Sequence, residues 1–130
     1  MMVDIHLILL LLFLFQTKHL LVDFFLQNAY MLGKFNVSGW FFPLMAHTSM
    51  HGVASYIIAA SFGIGVWHSL TIAIIDVVLH TVIDKIKVDV SRHYDKNKDK
   101  QFWWWLGIDQ YAHHLTHYFL ICLLLGAISS

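Results

Sequence analysis

A chain of 130 residues that is 58% hydrophobic and only 12% charged falls outside the composition of soluble domains, and its length is that of one domain, residues 1–130. Eight basic against eight acidic residues give a formal net charge of zero, which removes nucleic acid from the expected partners and leaves membrane lipid. A single cysteine, Cys122, excludes an internal disulfide and cysteine-rich zinc motifs; since all eight acidic residues are aspartate, metalloprotease motifs built on glutamate are excluded as well.

The first apolar segment covers 5–32. It has neither a basic leader nor a small-residue cleavage site, and it carries Lys18, His19 and Asp23, so it reads as a retained helix and not as a signal peptide. A polar break at 33–39 holds Lys34. The second segment, 40–62, carries His47 and His51; after Gly63, Ile64 and Gly65 the third, 66–90, carries Asp76, His80 and Asp84. A hydrophilic stretch at 92–101 leads into the fourth, 102–127, with Asp109 and His113. Each segment can cross ~30 Å of hydrocarbon at ~1.5 Å per residue. Such short connections predict an all-α, up-and-down bundle of four transmembrane helices. Lys34 in the first loop, with Arg92, Lys96, Lys98 and Lys100 in the third, predicts that loops one and three are cytoplasmic and both termini lie on the other side. Trp40, Trp67 and Trp103, Trp104 and Trp105 fall at predicted helix ends, where indole rings anchor in the headgroup layer.

Ionisable groups at membrane depth are costly without partners and mark functional sites by default. Each predicted helix carries such a pair, spaced i, i+4 on one face: His19 and Asp23, His47 and His51, His80 and Asp84, Asp109 and His113. Measured from the presumed cytoplasmic ends, Asp23, His47, Asp84 and Asp109 lie ~10 to 15 Å deep, and His19, His51, His80 and His113 lie ~16 to 22 Å deep. Four pairs at matching depth predict a shared site. Imidazole with carboxylate suits zinc first, iron or manganese otherwise, as one or two ions. The competing expectation is a polar core in which these groups only bond one another. The repeat of H-x-x-x-D at His19 to Asp23 and at His80 to Asp84 hints at two related hairpins.

Around these eight, Asp76 is expected to orient His80, and Gln27 and Gln110 to bond ligands. Lys18, ~100° around the helix from His19, points off the site; Lys85 and Lys87 reach the cytoplasmic surface, where Lys87 could hold an anionic headgroup. His117 extends the His113 face as an extra ligand or proton relay, His114 lies off that face, and His6, His68 and His93 are expected at the surface.

The ordered set H-x-x-x-D-F-x-L-Q from His19 to Gln27, H-x-x-x-H at His47 and His51, H-x-x-x-D-x-x-K from His80 to Lys87 and D-Q-x-x-H from Asp109 to His113 resembles the small bacterial and phage membrane proteins of domain of unknown function 3307. The resemblance spans nearly the whole chain. It implies the helical membrane fold, the polar site and a bacterial inner (cytoplasmic) membrane, and it implies no activity. The residues favour a metal-dependent hydrolase with His19, His47, His51, Asp84, Asp109 and His113 as ligands and Asp23 or His80 as base or further ligand. The alternatives are a metal-ion or proton transporter, which four helices would form more readily as a homo-oligomer, a di-iron oxygenase, and a non-catalytic envelope protein.

Overall fold

The computed structural model describes residues 4–129; the first three residues and the last of the expected 1–130 domain lie outside them. Helix α1 spans Ile5–Leu20, opened by Asp4, whose carboxylate accepts the His6 amide at 2.9 Å. The chain continues without a break into a wider π-helical turn, Leu21–Phe25, in which the Leu26 amide reaches back five residues to the Leu21 carbonyl at 2.8 Å. Helices α2 (Phe41–Ser61), α3 (Val66–Ser91) and α4 (Lys100–Ile128) follow. All regular structure among the described residues is helical.

The first helix ends earlier than hydropathy predicts. Instead of running through 5–32 it stops after the π turn, and Met31–Phe35 form a separate 3-10 helix. Asn28 supplies the physical reason, because its side-chain oxygen takes the Met31 amide at 3.0 Å and so competes with a continuing helical ladder. The residues on either side are as apolar as those of a helix, so hydropathy alone passes over the break. Lys34, expected in a solvent-facing loop, is carried inward on this short helix and buried.

Helix α2 lies along α3, α3 along α4, and α1 closes the ring against α4 and α2. In the α2–α3 seam Gly52 faces Val77 and the Ala73 carbonyl, a contact with no room for a β-carbon. Thr81 donates to Thr48 at 3.0 Å, and Ser55 meets Asp76, so sequence rises along α2 as it falls along α3.

Three helical spans, Ile5–Phe25, Val66–Ser91 and Lys100–Ile128, are long and apolar enough to cross a membrane. The expected fourth, α2, is 21 residues long but is diluted by its histidines, serines and threonine. Residues are sorted by polarity in the reverse of a soluble domain. Leu9, Phe13, Val53, Ile57, Ile74, Val78, Leu115 and Phe119 are exposed, while His47, His51, His80, His113, His117 and Asp76 are buried. Along the bundle the interior has two halves. Leu11, Phe15, Ala59, Ile72, Leu120, Ile121 and Leu124 pack together in one, and the histidines and aspartates fill the other.

Candidate metal centre

Side chains from all four helices meet in the polar half. The π turn carries Asp23 there, directly after α1. Its Oδ1 accepts a hydrogen bond from His51 Nε2 at 2.7 Å and lies 3.2 Å from His47 Nε2 and 3.7 Å from His80 Nε2; its Oδ2 lies 3.2 Å from His19 Nε2. Four imidazoles thus face one carboxylate. Each comes from a regular helix, His47 and His51 one turn apart on α2 and His80 from α3, so backbone geometry holds their relative positions.

Asp84, one turn beyond His80, forms the second focus. Its Oδ1 lies 3.3 Å from His113 Nε2 and 3.7 Å from His80 Nε2, and its Oδ2 lies 3.4 Å from His47 Nε2. Asp109 flanks His113 at 3.5 Å. The rings of His51 and His80 stack at 3.6 Å between centroids, and those of His80 and His113 at 4.0 Å, so His80 sits in the middle of a three-ring column.

Two sets of donors are close enough to hold an ion: Asp23, His47, His51 and His80, and then His80, Asp84 and His113, the donor atoms of each set lying within 4.8 Å of one another. His80 belongs to both. His19 and Asp109 stand at the edge of these sets, His19 Nε2 3.1 Å from the Gln110 side-chain oxygen and Asp109 Oδ2 accepting from Gln110 Nε2 at 3.0 Å.

Mutual hydrogen bonding accounts for only part of the cluster. The Nε2 atoms of His47, His80 and His113 are buried and lie 3.2–3.7 Å from carboxylate oxygens, yet make no hydrogen bond among the described residues; Asp109 Oδ1 is likewise buried and unbonded. Buried polar atoms are normally hydrogen-bonded, and imidazole nitrogens gathered this close to carboxylates could hold a cation.

Two lysines lie inside the bundle. Lys34 Nζ bonds Asp84 Oδ2 at 2.6 Å, so a cation from the 3-10 helix reaches the centre directly. Spacing gave no warning of this, although Lys34 is the only Lys, Arg, Asp or Glu between Asp23 and Asp76. Lys18 bonds Asp76 and lies 3.0 Å from Ser55 Oγ, and Ser55 donates to Asp76 at 2.5 Å. Asp76 therefore does not orient His80, as its spacing suggested; it is taken by a cation from α1, because Lys18 turned away from the His19 face points at α3.

His117 is buried against the rings of Phe15 and His19, with both nitrogens unbonded, and belongs to neither donor set. His114 is half-buried, 6.1 Å from His19 between ring centres. His6, His68 and His93 are exposed, as is Cys122. Lys85 pairs with Asp89 at 2.5 Å and lies 4.1 Å above the Trp40 ring, and Lys87 lies 5.2 Å from the Phe35 ring. The Gln27 side-chain oxygen is buried and makes no hydrogen bond among the described residues.

Residues 8–129 match the family described as Protein of unknown function (DUF3307). No curated protein and no solved structure matches the chain.

Proposed function

We propose, starting from the fact that this chain belongs to the DUF3307 family, that it is a multi-pass membrane metalloprotein that hydrolyses a membrane-associated substrate. The observation that carries the metal reading is the set of buried, unbonded Nε2 atoms of His47, His80 and His113 facing Asp23 and Asp84. The bundle would lie in a bacterial inner membrane with the polar half towards the cytoplasm. Arg92, Lys96, Lys98 and Lys100 still support that orientation, but Lys34 no longer does, being engaged with Asp84.

Charge favours a divalent ion. The carboxylates of Asp23, Asp84 and Asp109 gather in one place with Lys34 as the one lysine among the described residues in contact with them, a setting that a divalent cation would complement. Zinc suits the mixed imidazole and carboxylate donors best, with iron and manganese as alternatives. His47, His51, His80, Asp84 and His113 would hold it, with His19 and Asp109 completing or orienting the set.

A divalent ion there supplies Lewis acidity and makes water a nucleophile near neutral pH. Asp23 is the fitting general base, since its side chain is the most accessible of the three carboxylates, at 13% against 7% for Asp84 and 5% for Asp109. His51, whose Nε2 donates to Asp23 Oδ1 at 2.7 Å, would orient that carboxylate. Lys34 would face a developing negative charge on the substrate.

Ion transport is the less supported reading, because the interior of the other half is filled by apolar side chains, from Leu11 and Phe15 to Leu120 and Leu124. The deciding experiment is elemental analysis of detergent-purified protein by plasma mass spectrometry. We expect one or two equivalents of metal, lost in a His47→Ala, His51→Ala double variant. Protein that is metal-free and refuses added zinc overturns the proposal.

A further inference from the structure

A groove runs between α3 and α4 on the outer face of the bundle. Its walls are Ile83, Ile86, Ile108 and Ala112, with Trp105 towards one end, and its floor reaches Asp109. Asp109 lies beneath this apolar groove and borders the metal centre through His113, so only its side chain separates the two. Lys87 also lines it.

Lys87 differs from the lysines that pair with aspartate. Lys18, Lys34 and Lys85 each meet an aspartate, whereas Lys87 forms no ion pair among the described residues and lies only against the Phe35 ring. A half-buried ammonium with no carboxylate partner, at the rim of an apolar groove between two membrane-length helices, is complementary to an amphiphile with a negative head and a hydrocarbon tail.

We infer that the α3–α4 groove binds an anionic phospholipid, its acyl chain between Ile83, Ile86, Ile108 and Ala112 and its phosphate at Lys87, one helical turn from Asp84 and across the groove from Asp109. This deepens the hydrolase reading by naming its substrate class, and lipid binding itself needs no metal. The neighbouring groove between α2 and α3, lined by Ser49, Gly52, Val53, Tyr56, Ala73 and Val77, holds no cation that would select a head.

Trp105 reports on the groove. The full-length protein is reconstituted in phosphatidylcholine vesicles containing an equal fraction of brominated phosphatidylglycerol or brominated phosphatidylcholine. The contribution of Trp105 to fluorescence quenching is isolated by comparison with Trp105→Phe. One cation near a headgroup corresponds to about a fivefold preference for phosphatidylglycerol. That preference should vanish in Lys87→Gln and persist in Lys98→Gln, whose lysine is exposed outside the groove. It should also persist after metal is stripped, so a failed metal reading and a failed lipid reading give different results. Equal quenching by the two lipids in the wild type, or a preference that survives Lys87→Gln, overturns the inference. So does loss of the preference on adding inorganic phosphate, which would make free phosphate the ligand.

Discussion

The Lys18–Asp76 pair offers the sharpest test of the polar interior, because it lies outside both metal-competent sets. Lys18 and Asp76 are 4% and 0% exposed, and Ser55 is their shared neighbour. Lys18→Met leaves the Asp76 carboxylate with a single hydroxyl donor, its Oδ1 already being unbonded. Asp76→Leu leaves an ammonium facing one hydroxyl oxygen. Either change strands a buried charge and should cost ~3–5 kcal/mol. The double variant removes both charges, and Ser55 can turn its hydroxyl to the carbonyl one turn back. It should return to within ~1–2 kcal/mol of the wild type, since apolar replacement of a buried pair is often neutral. Unfolding in mixed micelles, followed by circular dichroism for all four proteins, yields the coupling energy. Single variants that lose under ~1 kcal/mol, or a double variant as unstable as the two losses added, would refute the pairing and the burial it rests on.

His80→Ala should abolish metal binding where His113→Ala removes at most one of two equivalents, because His80 is common to both donor sets; plasma mass spectrometry distinguishes them. Lys34→Met should tighten zinc by about fivefold or more, since it removes a cation in contact with Asp84, a difference measurable by competition with a chelating dye. Zinc affinity should fall as pH is lowered, because protons compete for the same imidazoles and carboxylates; titrations that show no change with pH would count against histidine ligation. Gly52→Ala should destabilise by ~1–3 kcal/mol, its methyl group meeting Val77 and lying 3.3 Å from the Ala73 carbonyl, and a thermal melt would detect it.

Periodicity and hydropathy were sufficient for the helices at 40–62, 66–90 and 102–127, whose observed limits differ by no more than two residues. They were also sufficient to bring the i, i+4 pairs into one region, because a helix holds such pairs on a single face whatever packs against it. They failed at the end of the first helix, where one Asn28 side-chain bond outweighs a run of apolar residues. The partners of lysine were equally out of reach. Lys18 and Asp76 are 58 residues apart, and Lys34 and Asp84 are 50 apart, so only the closed bundle, with Lys18 reaching across it from α1 and the 3-10 helix packed on α3, brings them together. A rule that assigns loop lysines to the cytoplasm cannot recognise one that folds back into the bundle.

The placement of partners also bears on biogenesis. Lys18 and Lys34 belong to the first part of the chain to be made, but their partners Asp76 and Asp84 both lie on α3. A nascent chain that has delivered only α1 and α2 to a bilayer holds charges that nothing yet neutralises, each opposing insertion by ~2.5–3.5 kcal/mol at mid-depth. The arrival of α3 cancels most of them in one step. A ribosome stalled before α3 would leave an unstable hairpin exposed to membrane proteases, and a chain that completes α3 becomes stable abruptly, so this helix acts as the point of commitment in assembly.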